Sequence, residues 1–403
     1  MTAEPGSAVQ DSADGLRAAM VDELRRMEMI ISEPVAAAVA AVPRHLFAPG
    51  ESLETAYSTE TAVVVKRGPD GRAMSALSAS HIQAAMLEQA EIAPGMRVLE
   101  VGTGGYNAAL VQELVGDEGH VVSIDIDPDI VARARTCLDA AGYGRVCVEA
   151  ADAELGWPEG APYHRIIVTA GAWDLPPAWL DQLTDDGRIV VPLRIKGLVR
   201  SIAFDRDGTD LVSRSYRLCG FVPMQGSGSH AERLVWLDDE VALRLDDETA
   251  SLDFKALGAA AYLPGETHWS GASFDLPDEL ELFVVTKAPR VAMLHVNERL
   301  VEQGIYSPAA VRGVAALIDG GSFAYRTKRP DDELGGWESG VIARGPDAEA
   351  VATQHIDLLR RWASNHRRRN TASIRYTPNA TSPGEPSPGV IVKRHGTVTV
   401  SWP

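Results

Sequence analysis

Short apolar runs alternate with helical patterns between residues 97 and 204. Four runs predict strands: RVLEV (97–101), HVVSI (120–124), RIIVTA (165–170) and RIVVPL (188–193). The segments between them predict helices over 106–115, 128–141 and 176–183. Runs that are apolar throughout are typical of parallel strands buried on both faces. The alternation predicts an α/β fold with a helix-covered parallel sheet.

Two regions flank this alternating part. Upstream, the polar residues 1–14 predict a flexible tail, and helices are expected from Leu16, over 34–42 and over 78–92. Downstream, the break GSGSH (226–230) marks a boundary between a first unit over 15–226, which contains the alternating segments, and a C-terminal α+β accessory domain over 227–403. In that domain we predict strands at RLVWL (233–237), ELFVVT (281–286), SGVIAR (339–344), SIRYT (373–377) and VIVKR (390–394), and helices at 308–318 and 347–366.

Composition narrows the choice of partner. The 403 residues include 38 Lys and Arg against 56 Asp and Glu, a formal charge of −18 that opposes binding to nucleic acid. No apolar run approaches the ~20 residues of a membrane span, and no signal-peptide pattern occurs, so we expect a cytoplasmic protein with no membrane partner. Three cysteines and ten scattered histidines do not have metal-site spacing. We expect a monomer or a weak dimer.

The most informative segment is VLEVGTGGYNAAL (98–110), in which a strand runs through a glycine turn into a helix. Glycines permit a tight turn and let a ligand approach the helix N-terminus closely. A dinucleotide fingerprint requires glycine at position 107, where this chain has Asn107, so NAD is disfavoured. A turn that serves only packing remains the alternative to a nucleoside site.

Three carboxylates indicate the ligand. Glu100 lies inside an apolar strand, where an unpaired carboxylate is costly and a cationic ligand would offset the cost. Asp125 ends the next strand and can accept hydrogen bonds from both ribose hydroxyls, and Asp152 can accept from the amine of adenine. S-adenosylmethionine combines adenosine with a sulfonium and an ammonium group. It is therefore the predicted cofactor, with S-adenosylhomocysteine as the product.

The order of these segments resembles the protein L-isoaspartyl O-methyltransferases over about residues 20–225. The landmarks besides the glycine turn are AVPRHLFAPG (41–50), AYS (56–58), LSASH (77–81), VVSIDIDP (121–128) and GFVPM (220–224). The resemblance implies a class I methyltransferase fold, which is Rossmann-like, with S-adenosylmethionine as the methyl donor and no metal. It implies a side-chain carboxylate of aspartyl origin as the acceptor.

The resemblance also assigns site residues. Ser78 matches the serine of the family's Ser-x-Pro-His segment and His81 matches its histidine, so both are predicted as catalytic residues. The predicted donor-binding residues are Glu100, Gly102, Thr103, Gly104, Gly105, Tyr106, Asn107, Asp125, Ile126, Ala151, Asp152, Thr169 and Ala170.

Departures from the family pattern fall mostly on the acceptor side. Ala76 replaces a threonine, Ser80 replaces the proline of Ser-x-Pro-His, and Thr59 stands where an aspartate is frequent. The glycine turn is one residue shorter than the family's G-x-G-x-G-Y, which leaves the contacts of Gly105 and Tyr106 open. We expect a retained donor site and an altered peptide-facing surface.

The chemistry implied by the resemblance needs no general base, because a side-chain carboxylate is already ionised at neutral pH. Alignment of the acceptor oxygen and exclusion of water supply the rate enhancement. We predict that the Ser78 hydroxyl orients the acceptor, and a helix N-cap is the structural alternative for this serine. The ester product can close to a succinimide (aspartimide), which water opens to aspartate or isoaspartate.

The long C-terminal region exceeds what repair-type members of the family contain. Residues 351–403 carry eight Lys and Arg against two Asp and Glu, and HRRR (366–369) fits a solvated helix end, with a patch for an acidic peptide as the alternative. This region and the acceptor-side changes resemble a branch of the family associated with cross-linked ribosomal peptides such as lanthipeptides and graspetides.

Our leading hypothesis is that the enzyme esterifies an L-aspartate in such a modified precursor peptide, which the C-terminal domain recognises. Repair of L-isoaspartyl residues in damaged proteins is one alternative. A non-catalytic peptide-binding protein on a methyltransferase scaffold is another.

Overall fold

The computed structural model describes residues 5–246, 252–275, 279–331, 336–369, 371–379 and 387–403. Its helices are α1 (Pro5–Arg26), α2 (Glu33–Ala41), α3 (Leu53–Ala56), α4 (Ser80–Ala90), α5 (Tyr106–Val115), α6 (Pro128–Ala140), α7 (Pro177–Asp181), α8 (Phe254–Ala261), α9 (Leu280–Lys287), α10 (Glu298–Glu302), α11 (Ala309–Arg312) and α12 (Ala348–Asn365). Its strands are β1 (Val63–Arg67), β2 (Ala73–Leu77), β3 (Arg97–Val101), β4 (His120–Asp125), β5 (Cys147–Ala150), β6 (Tyr163–Val168), β7 (Leu183–Ile195), β8 (Leu198–Asp207), β9 (Asp210–Leu218), β10 (Arg233–Trp236), β11 (Val241–Leu245), β12 (Glu266–Phe274), β13 (Val291–Val296), β14 (Val314–Asp319), β15 (Ser322–Asp331), β16 (Gly336–Arg344), β17 (Ser373–Pro378), β18 (Val390–Val392) and β19 (Gly396–Ser401).

The largest sheet has the strand order β18, β19, β17, β9, β8, β7, β6, β3, β4, β5. The strands from β7 to β5 in that order are parallel, and the other neighbours pair antiparallel. Val98 faces a core that contains α2, α4, α5 and α6, while Leu99 faces the opposite core. The central strands are therefore buried on both faces, as their uninterrupted apolar sequences predict. The predicted bounds of β3 and α5 are confirmed.

A second sheet follows in the order β10, β11, β13, β14, β15, β16, β12, and all of its neighbours pair antiparallel. α9 and α12 cover one face, and α8 covers the other. Leu282 and Val285 of α9 also pack into a core of the first sheet. The two sheets therefore share buried contacts.

The last three strands differ from the expected domain organisation. β17 pairs with β9, with Arg375 opposite Val212, and β19 pairs with β17. Ile374 and Val400 are buried in the same core as the parallel strands. Residues 233–366 thus form an insertion between two parts of one sheet, and 227–403 is not a single unit in space. The physical reason is that β9 presents an open edge, which the returning chain pairs.

Three local predictions are wrong. Residues 281–286 belong to α9 and not to a strand, because a short apolar run without alternation fits either element. The helix predicted over 308–318 ends at Arg312, where Gly313 (φ +95°) breaks it before β14. Residues 5–14, predicted as a tail, begin α1, since Pro5 suits a first helical turn. Residues 1–4 lie outside the described residues.

None of the helices among the described residues has the length and apolar character that crossing a bilayer requires. Within the same ranges, no three side chains of His, Cys, Asp or Glu converge to hold a metal ion.

We expect the terminal strands to unfold together with the parallel strands. Ile374 is 0% exposed, and Ile374→Ala should lower the free energy of unfolding by ~2–4 kcal/mol through the cavity it leaves. The control Val392→Ala changes a residue that is 49% exposed in β18 and should cost less than ~1 kcal/mol. Urea unfolding followed by circular dichroism measures both. An equally small loss at the two positions would contradict a shared core.

Candidate functional site

A cavity lies at the carboxyl ends of β3, β4 and β6, where the parallel strands turn into loops. The space between its walls, with the open solvent at its mouth included, is about 730 Å³. Its walls come from the glycine turn after β3, from β2 with Ser78, and from the 222–225 segment after β9. Ligands of open α/β sheets bind at this edge. The cavity is therefore the candidate active site.

Most of the predicted site residues meet at this cavity. Those that line it are Ser78, Glu100, Gly102, Thr103, Gly104, Asn107, Asp125, Ile126, Ala151, Thr169 and Ala170. His81, Gly105, Tyr106 and Asp152 are not among its lining residues.

The turn after β3 brings backbone to the cavity. Gly102 (φ +92°) and Gly105 (φ +82°) adopt left-handed conformations that favour glycine. A Cβ on Gly102 would lie 2.8 Å from the Thr169 Oγ1 atom, so no side chain fits there. α5 begins immediately afterwards at Tyr106, and its first N–H groups have no partner within the helix. This geometry leaves room for a ligand against the backbone.

Glu100 is fully buried at the base of the cavity. Its Oε1 accepts a hydrogen bond from Asn107 Nδ2 at 2.8 Å, and its Oε2 accepts one from the Ser123 hydroxyl. Ser123 is opposite Glu100 in the register of β3 and β4. Burial raises the pKa of Glu100 to about 7, although both hydrogen bonds oppose the rise. The carboxylate thus accepts hydrogen bonds from two neutral side chains, and no cationic side chain pairs with it among the described residues.

Asp125 lies at the end of β4 with its carboxylate partly engaged. Oδ2 accepts from the backbone N–H of Thr103 at 3.1 Å, and Oδ1 accepts from that of Asp127 at 2.9 Å. Burial raises the pKa of Asp125, while these backbone hydrogen bonds lower it. Each oxygen keeps further acceptor capacity, so two hydroxyl groups of a ligand can still be bound.

The carboxylate of Asp152 binds the loop that contains Ser227. Its Oδ2 accepts from the backbone N–H of Ser227 at 2.9 Å, and its Oδ1 accepts from that of Glu154 at 3.0 Å. The loop is held in turn by Arg394, between β18 and β19, which donates to the carbonyls of Ser227 (2.7 Å) and Ser229 (3.2 Å). The C-terminal strands therefore support the loop beside the cavity.

Arg44 is buried behind the cavity, where it contacts residues from both of its walls. Its fully buried guanidinium donates to the carbonyl of Ala56 (2.7 Å), to Gln83 Oε1 (2.6 Å) and to the carbonyl of Ser78 (2.6 Å). It also lies 4.7 Å from the ring centre of Tyr106. Tyr106 is therefore a buried support of the glycine turn, which explains why it does not reach the cavity.

The acceptor side is built on the start of α4. The N-cap position of α4 is Ala79, so Ser78 precedes the cap and does not occupy it. His81 turns away from the cavity, because its Nδ1 lies 2.8 Å from the carbonyl oxygen of Thr59. Ser78 is thus the predicted catalytic residue that faces the cavity.

Comparison with known proteins agrees with this geometry. The family model for protein-L-isoaspartate(D-aspartate) O-methyltransferase matches residues 16–229, which is more than half of the chain. The chain belongs to this family.

Individual members of the isoaspartate methyltransferase family cover the same half of the chain. A protein-L-isoaspartate O-methyltransferase of Hyperthermus butylicus is 41% identical over 221 residues, 52% of this chain and 88% of the relative. One of Methanopyrus kandleri is 37% identical over 220 residues, 54% of this chain and 94% of the relative. A solved protein-L-isoaspartate O-methyltransferase structure, 21% identical, covers 96% of this chain and 99% of its own with a TM-score of 0.52, which shows the fold alone.

Membership of the isoaspartate methyltransferase family confirms the class I fold and the predicted enzyme class. The chain is a carboxyl O-methyltransferase, and S-adenosylmethionine is its methyl donor. The alternative of a non-catalytic binding protein is therefore disfavoured.

The cavity residues fit this donor. Thr103 Oγ1 is buried in the cavity wall and has no hydrogen-bond partner among the described residues, so a polar atom of a ligand can satisfy it. Glu100 would face the cationic groups of the donor, and Asp125 would accept from the ribose hydroxyls. The backbone at Gly102 and Gly104 leaves space for the remaining atoms.

Departures from the family pattern have structural consequences on the acceptor side. Ser80, in place of proline, donates its hydroxyl to the carbonyl of Ser58 at 3.2 Å. The backbone N–H of His81 donates to the carbonyl of Thr59 at 3.2 Å. The substituted positions therefore tie the 58–59 segment to the first turn of α4.

Several cavity residues were missed by the sequence analysis. They are Met74, Ser75, Ala76 and Leu77 of β2, Gln83 of α4, and Val222, Pro223, Met224 and Gln225. Tertiary packing brings both the β2 residues and the 222–225 segment to the cavity. The signals available were the LSASH and GFVPM landmarks, which lie within or beside these segments.

We expect donor binding to compete with protonation of Glu100. The cationic donor favours the ionised carboxylate, and the pKa of Glu100 without donor is about 7, so donor affinity should fall about ten-fold between pH 8 and pH 6. Glu100→Gln should bind more weakly at pH 8 and show no such slope. Glu51→Gln, at an exposed position, should behave as the wild type. Isothermal titration with S-adenosylmethionine measures all three, and an equal slope in Glu100→Gln would contradict this role.

Proposed function

We propose that this enzyme esterifies the side-chain carboxylate of an L-aspartyl residue in a cross-linked, ribosomally made peptide. The observation that carries the proposal is the setting of Ser78. This serine lines the donor cavity, and the helix that follows it forms one side of a second cleft, whose other side is the insertion over residues 233–366. The family model ends at residue 229, but the fold of a solved protein-L-isoaspartate O-methyltransferase covers 96% of this chain, so the insertion alone does not separate maturation from repair.

The chain's own residues can position the acceptor. The Ser78 hydroxyl would donate to the carboxylate oxygen that does not react, and the N-terminal end of α4 favours a negative charge nearby. S-adenosylmethionine supplies the electrophilic methyl group. The 222–225 segment lines the cavity, where it would displace water from the bound reactants. Because the acceptor is already an anion, positioning it against the methyl carbon accounts for the reaction without a proton acceptor.

The proposed product explains why a methyl ester would be useful. Esterification removes the charge that protects the aspartyl carbonyl from attack. The backbone nitrogen of the next residue can then attack that carbonyl, lose its proton and expel methanol, which forms a succinimide. Water opens the succinimide to aspartate or isoaspartate.

Repair-type methylation of L-isoaspartyl residues is the activity that membership of the family supports. It is favoured by the relatives from Hyperthermus butylicus and Methanopyrus kandleri, which are named for the isoaspartate reaction. The donor site serves either function equally. The acceptor therefore has to be tested directly.

We expect radiolabelled methyl from the donor to appear as a base-labile ester on a cyclised peptide containing L-aspartate. A linear peptide of the same sequence with L-isoaspartate is the rival acceptor. Ser78→Ala should lower kcat about 10- to 100-fold and leave donor affinity nearly unchanged, because one charge-assisted hydrogen bond is lost. Ser364→Ala, at an exposed position of α12, is the matched control. Label on the isoaspartyl peptide alone would replace the maturation function with repair.

A further inference from the structure

A second and larger cleft opens between α4 and the insertion. The space between its walls, with the open solvent at its mouth included, is about 2270 Å³. One side is the face of α4 that carries His81, Ile82, Ala85 and Met86. Ser78 lines the first cavity and His81, one helical turn further on, lines the second cleft. The two spaces therefore lie on either side of the start of α4.

We propose that this cleft binds an acidic segment of the acceptor peptide, next to the residue that is esterified. The inference rests on the proposed function, since it assumes a peptide acceptor beside Ser78. It adds the chemical class of the segment that flanks the acceptor residue and the arginines that recognise it.

The wall opposite α4 is held in place by Trp402. This residue follows β19 of the first sheet, and its Nε1 donates to Thr286 Oγ1 of α9 at 3.0 Å. Its ring packs edge-on against Phe283, with 5.3 Å between ring centres, and lies 5.5 Å from the ring of His366. The insertion is thereby fixed against the catalytic sheet. The cleft is thus bounded by packed side chains on both sides.

The described acidic residues that line the cleft are already neutralised. The carboxylate of Asp275 accepts from Arg367 at 3.0 Å and from Arg368 at 2.9 Å. Glu279 pairs with the buried Arg200 at 3.1 Å. Neither carboxylate is available to repel an anionic ligand at full strength.

Two further arginines line the same cleft. Arg217 lies at the end of β9 and Arg369 follows α12, and neither forms an ion pair with a carboxylate among the residues that the structure describes. Their guanidinium groups can bind carboxylates through paired hydrogen bonds. The whole chain has a formal charge of −18, whereas these two arginines place positive charge in the cleft. An acidic partner is therefore the one that fits.

The remaining surface of the cleft suits an extended peptide. Ile82, Ala85 and Met86 provide an apolar strip along α4, and Trp337 lines the insertion side. An extended chain points alternate side chains to opposite sides, so acidic residues can face the arginines while apolar ones face α4. His81 lines the end of this cleft nearest Ser78, so a peptide that crosses the start of α4 carries its acceptor residue to Ser78.

The experiment compares two fluorescein-labelled cyclised peptides that share one acceptor residue and differ only in glutamate or glutamine flanks. Binding is measured by fluorescence anisotropy with S-adenosylhomocysteine present. The wild type should bind the glutamate peptide about ten-fold tighter at low salt, and the preference should shrink at high salt. The variant Arg217→Gln/Arg369→Gln should lose the preference and keep its affinity for the glutamine peptide.

A second double variant controls for net charge. Arg26→Gln/Arg312→Gln removes two exposed arginines outside the cleft and should keep the preference. Equal binding of the two peptides by the wild type, or an unchanged preference in Arg217→Gln/Arg369→Gln, would overturn the inference. Methyl transfer to the same peptides is measured separately. Preferential binding without transfer would refute the proposed function alone, and transfer without preference would refute the inference alone.

Discussion

The active site of this methyltransferase depends on one buried guanidinium. Arg44 has no carboxylate partner among the described residues, so its burial is compensated by two carbonyl groups, one amide side chain and the ring of Tyr106. Burial lowers the pKa of Arg44 from its ordinary value, yet the group stays charged because that value is so high. These partners come from three separate segments, since Ser78 and Gln83 both belong to the start of α4. A single residue thus joins the end of α3, the start of α4 and the start of α5.

The consequence concerns the alignment of donor and acceptor. Tyr106 begins the helix that follows the glycine turn, and the carbonyl of Ser78 lies directly before the helix on the acceptor side. Both contact Arg44, so the distance between the donor cavity and the acceptor serine is set within the core. Transfer of a methyl group tolerates little misplacement of the reacting atoms. A rigid link between the two walls meets that requirement better than surface loops would.

Features that depend on residues close together along the chain could be predicted from the sequence. β3, the glycine turn and α5 were predicted because their apolar spacing and backbone requirements lie within one short segment. Glu100 was singled out as a carboxylate within an apolar strand, but its hydrogen bond from Ser123 depends on the pairing of β3 with β4. The importance of Arg44 was not visible, because its partners are distant along the chain. For the same reason the return of β17 to the first sheet escaped prediction, since strand pairing is decided by which edge remains open.

The most direct test of this account is the turnover of Arg44→Met at saturating donor and acceptor. Arg165→Met is the matched control, because Arg165 donates to carbonyls at the opposite end of α4 and does not line the cavity. With both variants folded, the account predicts that Arg44→Met loses kcat roughly 10- to 100-fold, while Arg165→Met keeps it within about two-fold. A folded Arg44→Met enzyme with wild-type kcat would contradict the claim that this guanidinium aligns the site.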